Sequence, residues 1–210
     1  MYVRNRAHQH SIVVRTCEDC NSWSNHMLEI PTGGLLEDLY HSSHIILSPA
    51  AQELIAAYMT RHVLMTNLWS LLSPDTVLTS EIYRRFRQTM KPPEYTRVWL
   101  GTVKDADPQR EQAVMLAIPE TRPLTGNPKC ALPRGSSCQV FRFFELLVVW
   151  ERVPHGDDRS AGERLIRRTE AAGLITRIWP PQRGDLAWPP EAVFDTTTQG
   201  RWAKRFGTIL

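Results

Sequence analysis

Residues 48–72 read SPAAQELIAAYMTRHVLMTNLWSLL, and this stretch has the clearest helical pattern in the chain. Ser48 suits a helix cap because its hydroxyl accepts a hydrogen bond from an unpaired backbone N–H, and Pro49 suits the first helical position. Ser73 and Pro74 end the pattern. We predict a helix over residues 49–72 that is buried on most sides. Its apolar positions include four side chains that should be buried: Leu54, Tyr58, Met65 and Trp69.

The segments that follow this helix predict an α+β fold, in which a largely antiparallel sheet packs on the long helix. Runs of β-branched and aromatic residues predict strands at Thr96–Lys104 and Ala113–Ile118 and one long buried strand at Gln139–Val153. A helix over Phe143–Arg152 fits the last run almost as well, since its apolar residues have no decisive period. Further predicted elements are a helix at Glu81–Met90, a helix from Ser160 to Gly173, a strand at Leu174–Trp179 and a short helix after Asp195.

The N-terminal region predicts a β-hairpin with two cysteines at its tip. Strand-like runs at Ser11–Thr16 and His26–Ile30 flank the turn-forming segment Cys17–Ser22. Pro31–Gly34 would end the hairpin, and a short helix would follow at Leu35–His41. Residues 1–47 are therefore interpreted as a small subdomain that a metal could stabilise, within a single domain of 210 residues.

A structural zinc site is predicted at the cysteine pair of this hairpin. Zinc binds four thiolate or imidazole ligands in a tetrahedron, and two ligands separated by two residues can share one ion. The predicted ligands are Cys17, Cys20, His41 and His44, with Cys130, Cys138 and His26 as alternates. A redox role for the pair is disfavoured, because redox motifs of this spacing begin a helix and a turn and a strand are expected here.

Basic residues interleaved with aromatic residues predict contact with nucleic acid. Guanidinium groups match the geometry of phosphates, and aromatic rings stack on unpaired bases. An alternative is that these arginines form the solvated faces of helices with buried apolar sides, as a Glu163–Arg167 pair at helical spacing suggests. The candidate nucleic-acid-binding residues are Arg84, Arg85, Arg87, Arg164, Arg167, Arg168 and Arg177.

A helix, a glycine and a strand are predicted one after another in the C-terminal part, residues 154–210. Residues 162–177 read GERLIRRTEAAGLITR and are followed by PPQRGD at 180–185. This segment resembles the recognition helix, strand and wing of winged-helix regulators, in which the helix enters the major groove and the wing touches the backbone. The resemblance implies DNA contact through Arg164, Arg167 and Arg168. The chain has Pro154–Asp158 where that fold has a scaffold helix, and we assign no family on this segment.

Composition limits the class of protein but does not decide the function. The chain is 42% hydrophobic and 22% charged, which is typical of a globular protein rather than a disordered one. Arg61 interrupts the longest apolar stretch, so no membrane span and no membrane partner are predicted. The N-terminus has no apolar segment typical of a secretory signal, which predicts an intracellular, cytoplasmic or nuclear protein. The formal charge of +3 tolerates an acidic partner without requiring one.

Three functions follow from these patterns. The leading hypothesis is a non-enzymatic nucleic-acid-associated protein that has a structural zinc site and acts with protein partners as a subunit of a larger nucleoprotein complex. The first alternative is a metal-dependent hydrolase or nuclease that uses His8, His10, His41 and His44 with Glu37 or Asp38. The second is a protein–protein interaction scaffold without metal, whose interface could use some of the seven tryptophans. Pro92–Tyr95 also fits a WW-domain ligand but is better explained as a helix stop.

Overall fold

The computed structural model describes residues 2–5, 10–13, 17–41, 44–69, 80–104, 112–117, 137–143, 145–153 and 161–209. The helices in these ranges are α1 (Glu18–Ser24), α2 (Ile30–His41), α3 (Pro49–Trp69), α4 (Ser80–Thr89), α5 (Ala161–Ala171) and α6 (Thr196–Ile209), and a π-helical segment (Asn25–Glu29) joins α1 to α2. The strands are β1 (Tyr2–Asn5), β2 (His10–Val13), β3 (Ile45–Leu47), β4 (Thr96–Lys104), β5 (Gln112–Ala117), β6 (Ser137–Phe143), β7 (Leu146–Arg152), β8 (Ile175–Trp179), β9 (Leu186–Trp188) and β10 (Phe194–Asp195).

A six-stranded sheet forms the centre of the fold, and its strand order is β10-β4-β7-β6-β5 with β8 also paired to β4. All of its pairings are antiparallel except the short parallel contact between β10 and β4. The α+β class predicted from the sequence is therefore confirmed, with a mostly antiparallel sheet. None of the helices within the described ranges is long and apolar enough to cross a membrane.

The sheet is covered on both faces, because successive side chains of a strand point to opposite sides. Val98 and Leu100 of β4 belong to a core cluster that includes α3 residues. Trp99 and Val103 belong to a second cluster that includes Ile166 of α5 and Trp202 of α6. Trp202 also donates a hydrogen bond from its Nε1 to Thr169 Oγ1 at 2.9 Å, which fastens α6 to α5.

Helix α3 begins where the sequence predicts, and its cap is the predicted one. The Ser48 hydroxyl accepts a hydrogen bond from the backbone N–H of Ala51 at 3.3 Å. Residues 55–57 and 59–65 are buried. Met65 is among them, whereas Leu54 and Tyr58 are only half-buried at the margin of the core. The Trp69 side chain and residues 70–72 lie outside the described part of the chain.

The predicted N-terminal hairpin is wrong in its second half. His26–Ile30, expected as a strand, is helical, and α1, the π-helical segment and α2 run without a break over residues 18–41. Leu28, Thr32 and Leu39 are buried on one side of this segment, and their separations of four and seven residues are the helical period. Pro31 lies inside α2 instead of ending an element. The hairpin that does form pairs β1 with β2, nearer the N-terminus.

The single long strand predicted at Gln139–Val153 is wrong as well, since the run forms two paired strands. β6 and β7 lie antiparallel, with Val140 opposite Val149, and Glu145 is exposed where the chain reverses. Both strands are buried on both faces, and such strands have no apolar–polar alternation by which their length could be recognised. The alternative helix over Phe143–Arg152 is wrong for the same segment.

The C-terminal elements agree with the prediction, but their pairing differs from that of a wing. Helix α5 ends at Ala171, and Gly173 has the left-handed φ of +67° that was expected of the residue after the helix. Strand β8 pairs with β4 in the main sheet, and β9, which follows residues 180–185, pairs with β3. Residues 119–136 and 154–160 lie outside the described ranges.

Candidate functional site

A cleft of about 660 Å³ lies between α4 and the neighbouring ends of β4, β7 and β8. Helix α4 forms one wall because Ile82 and Phe86 pack into the core while Arg85 and Thr89 reach the opening. The segment after α4 and the neighbouring strand ends contribute the rest of the lining. The lining residues outside α4 are Lys91–Arg97, Arg152, Val153, Arg177, Trp179 and Pro180.

Two residues with left-handed backbone shape the entrance of the cleft. Met90 has φ 58° directly after α4, and Tyr95 has φ 65° directly before β4. Such φ values are uncommon for residues other than glycine, so we infer that the surrounding structure maintains this backbone conformation. Pro92 is buried between them, and the Tyr95 side chain is left 56% exposed. The turn therefore presents an aromatic ring at the mouth of the cleft.

The cleft is positively charged. Five basic side chains line it, namely Arg85, Lys91, Arg97, Arg152 and Arg177, whereas Glu94 is its one acidic lining residue among those described. Glu94 pairs with Arg85 at 2.9 Å, and the fully buried Glu151 pairs with Arg97 at 3.1 Å. Counting both carboxylates leaves three positive charges in excess. The Nε of Arg177 is buried without a hydrogen-bond acceptor in the part of the chain that the structure describes.

The structure separates the predicted nucleic-acid-binding arginines into three groups. Arg85 and Arg177 line the cleft. Arg84 is exposed and pairs with Glu81 on the same helix, and Arg87 points to the cysteine pair. The other three lie exposed on α5 and do not line the cleft: Arg164, Arg167 and Arg168.

Sequence reasoning missed three members of the cleft, Arg97, Arg152 and Trp179. Each stands in a strand, where an isolated arginine or tryptophan carries no motif. Their convergence is set by strand register, because Arg152 lies opposite Thr96 and Trp179 lies opposite Val98. In the sequence, Tyr95 is marked only by its place in the Pro92–Tyr95 motif. As folded, this segment has a left-handed Tyr95 and a buried Pro92 instead of an open polyproline helix.

The cysteine pair lies at the start of α1. Cys17 is exposed and caps the helix, with its Sγ accepting a hydrogen bond from the backbone N–H of Cys20 at 3.3 Å. Cys20 is half-buried, and the Arg87 guanidinium lies 3.4 Å from its Sγ. Hydrogen bonds from the Cys20 side chain and backbone lower the pKa of the Cys17 thiol. The Cys17 side chain and burial raise the pKa of the Cys20 thiol.

The described residues contain no group of three or more His, Cys, Asp or Glu side chains that could hold a metal ion. Of the predicted ligands, His26, His41 and His44 are exposed. Cys138 is buried in β6, and burial raises its pKa well above the ordinary value. Cys130, His8 and the side chain of His10 lie outside the described part, so the zinc site and the metal-dependent hydrolase stay predictions.

The tryptophans lie mainly inside the protein. Trp99, Trp150, Trp188 and Trp202 are buried, and Trp23 and Trp179 are half-buried. None of these six is exposed, and the side chain of Trp69 is not described. Apart from Trp179, which also lines the cleft, the described tryptophans therefore contribute to packing and do not form an exposed interface.

Comparison with protein-family models, with curated proteins and with solved structures gave no match. Any functional conclusion is therefore based on the fold and on the geometry of the cleft and of the cysteine pair.

Proposed function

We propose that the protein is a non-enzymatic nucleic-acid-binding protein and that the cleft between α4 and the sheet is where it binds. The observation that carries this proposal is the convergence of basic and aromatic side chains from separate segments on one concavity. Arg85 comes from α4, Lys91 and Tyr95 from the following turn, and Arg177 and Trp179 from β8. A surface helix that is merely solvated would not collect such residues from elements distant in sequence.

The chemistry of the lining fits a polyanion that also carries flat rings. Arginine and lysine side chains bind phosphate oxygens through charge-assisted hydrogen bonds, and the three excess charges favour an anion. The Tyr95 ring is exposed at the mouth, where an unpaired base can stack on it. A cleft of about 660 Å³ has the volume of a pocket for small ligands, so a single strand suits it better than a duplex.

The test measures binding of a fluorescent single-stranded oligonucleotide by anisotropy as a function of salt. Each phosphate contact contributes about −0.7 to the slope of log affinity against log salt for a single strand. In the double variant Lys91→Gln/Arg177→Gln we expect weaker binding and a slope that is less steep by about 1.4. Thermal melting of the variant shows whether it is folded.

The matched control is Arg167→Gln/Arg168→Gln, which removes the same charge from the exposed face of α5. We expect this control to change the affinity and the slope much less than the cleft variant does. A larger loss in the α5 variant would move the contact to the winged-helix-like surface and refute the role of the cleft. Equal losses would indicate diffuse attraction, and no binding at about 50 mM salt would favour the protein–protein scaffold.

The remaining parts of the leading hypothesis are kept as proposals. We propose that the protein acts as a subunit of a larger complex, which native mass spectrometry of material purified from its natural source can test. The same measurement on the isolated chain reports bound metal. One zinc per chain would support the structural site at Cys17 and Cys20, with two further ligands from His26, His41, His44, Cys130 or Cys138.

A further inference from the structure

The structure assigns a second site to the cysteine pair, and we propose that Cys17 and Cys20 form a redox-active dithiol that exchanges with small-molecule disulfides. This inference is independent of nucleic-acid binding. The dithiol and the proposed zinc site are alternatives for the same two sulfurs, since a metal-bound thiolate pair cannot form a disulfide while the metal stays in place, and the test below distinguishes them.

The first observation is the helix that replaces the predicted turn and strand. The expectation of a turn was the reason for disfavouring a redox role, and it is wrong for residues 18–41. Cys17 is the cap and Cys20 the third residue of α1. The hydrogen bond from the Cys20 backbone N–H to Cys17 Sγ places both side chains at the same end of the helix. Two thiols so placed can close a disulfide by rotation of their side chains.

The second observation is the difference in access between the two sulfurs. Cys17 is exposed, so a disulfide from solution can reach it, whereas Cys20 is half-buried behind it. This arrangement assigns the attack on an incoming disulfide to Cys17 and the second, resolving attack to Cys20. Cys138 has 1% of its surface exposed and is separated from the pair in β6, so it takes no part.

The third observation is a cation held against the pair. The Arg87 guanidinium lies 3.4 Å from Cys20 Sγ, and its position is fixed by the Trp23 ring, whose centroid is 5.5 Å from the guanidinium carbon. Trp23 in turn packs edge-on against Phe86 of α4, with ring centroids 6.0 Å apart. A guanidinium next to sulfur stabilises a thiolate, the reactive form in exchange. The same charge repels a divalent metal ion.

The reaction is a thiol–disulfide exchange in two steps. The Cys17 thiolate attacks one sulfur of the external disulfide, forms a mixed disulfide and releases one thiolate. The Cys20 thiolate then attacks Cys17 Sγ, forms the Cys17–Cys20 disulfide and releases the second thiolate. The protein loses two electrons, the external disulfide gains them, and the two protons of the cysteine thiols pass to the released thiolates.

The test uses oxidised glutathione as the disulfide, with peptide mass spectrometry to locate the product. The full chain should lose two hydrogens within the peptide that contains Cys17 and Cys20, and Cys138 should stay reduced. Cys20→Ser should accumulate a glutathione adduct on Cys17, because the resolving thiol is absent. Cys17→Ser should react with oxidised glutathione more slowly than the unmodified protein and more slowly than Cys20→Ser. Adduct formation in Cys20→Ser that is no faster than in Cys17→Ser would overturn the assigned order of attack.

A second comparison tests the role of Arg87. With both cysteines present, Arg87→Gln should slow the attack of Cys20 on the mixed disulfide, so that the glutathione adduct on Cys17 persists longer, whereas Arg84→Gln, an exposed position on the same helix, should not. Equal rates in both variants would remove Arg87 from the site. Zinc is measured in the same samples. Thiols that react only after a chelator has removed zinc would overturn the dithiol and establish the metal site instead.

Discussion

Lowering the pH from 7 to 5 should destabilise the protein through His62 of α3. This imidazole is 8% exposed, and its ring centroid lies 4.6 Å from that of Tyr58 and 5.3 Å from that of Phe143. Burial, with a smaller contribution from the charge of the adjacent Arg61, lowers the pKa of His62 from 6.5 to about 3. Below pH 6.5 the unfolded chain therefore binds a proton that the folded chain excludes, so stability falls as the pH falls and reaches its full loss near pH 3.

The magnitude follows from the two pKa values. Between pH 7 and 5 the unfolded imidazole becomes almost fully protonated while the folded one stays neutral, which costs about 2 kcal/mol. Urea unfolding at both pH values, in the wild type and in His62→Leu, isolates this contribution, because the other titrating groups are common to both. The exposed His44→Gln is the control and should keep the wild-type difference. If His62→Leu loses as much stability as the wild type between pH 7 and 5, the explanation by a buried neutral imidazole is refuted.

Two further predictions concern packing. Leu64 is 2% exposed, whereas Leu54 is half-buried. In urea unfolding, Leu64→Ala should therefore lose about 2 to 5 kcal/mol of unfolding free energy and Leu54→Ala clearly less. Equal losses would mean that a different side of α3 faces the core. A Cβ added at Gly101 would lie 2.7 Å from the backbone oxygen of Leu174, so Gly101→Ala should cost about 1 to 3 kcal/mol. At Gly33 nothing lies within 4 Å of the new Cβ. Gly33→Ala should therefore be neutral or should stabilise its helix by up to about 1 kcal/mol. A destabilised Gly33→Ala and a neutral Gly101→Ala would contradict the space described at the two glycines.

The elements that local signals define were predictable from the sequence. Helix α3 has a cap at Ser48 and a proline at its first position, and the structure begins it there. The strand at Thr96–Lys104 has the same bounds in the structure. Gly173 supplies the left-handed residue after α5. In these cases the residues that define the start, the period or the end of an element lie within or next to that element in the sequence.

The errors come from segments whose signals conflict. Cys17–Ser22 contains polar residues common in turns, and Pro31 with two glycines is typical of a break, yet Leu28, Thr32 and Leu39 are buried on one helical side. Burial of that side stabilises the helix more than the local preferences oppose it. Gln139–Val153 has the opposite difficulty, since a continuous apolar run gives no position for the reversal near Glu145.

In the candidate site, the sequence predicts only those arginines that belong to a visible cluster of basic residues. The charge of Arg85 and Arg177 marks them as candidates, but nothing in the sequence distinguishes them from Arg84 or Arg168. The separation depends on the pairing of β8 with β4, which brings Arg177 to the side of α4. Such a pairing joins residues about eighty positions apart in the chain, beyond the reach of any local pattern.

The distribution of the tryptophans gives the molecule an internal optical reporter. Trp99, Trp150 and Trp188 are shielded from water and should emit at short wavelength whether or not a ligand is present. Trp179 alone among the described tryptophans lines the cleft. A base bound in the cleft would reach this indole, whereas Trp23, the other half-buried tryptophan, does not line the cleft. Changes in intrinsic emission therefore report occupancy of the cleft, without any attached dye.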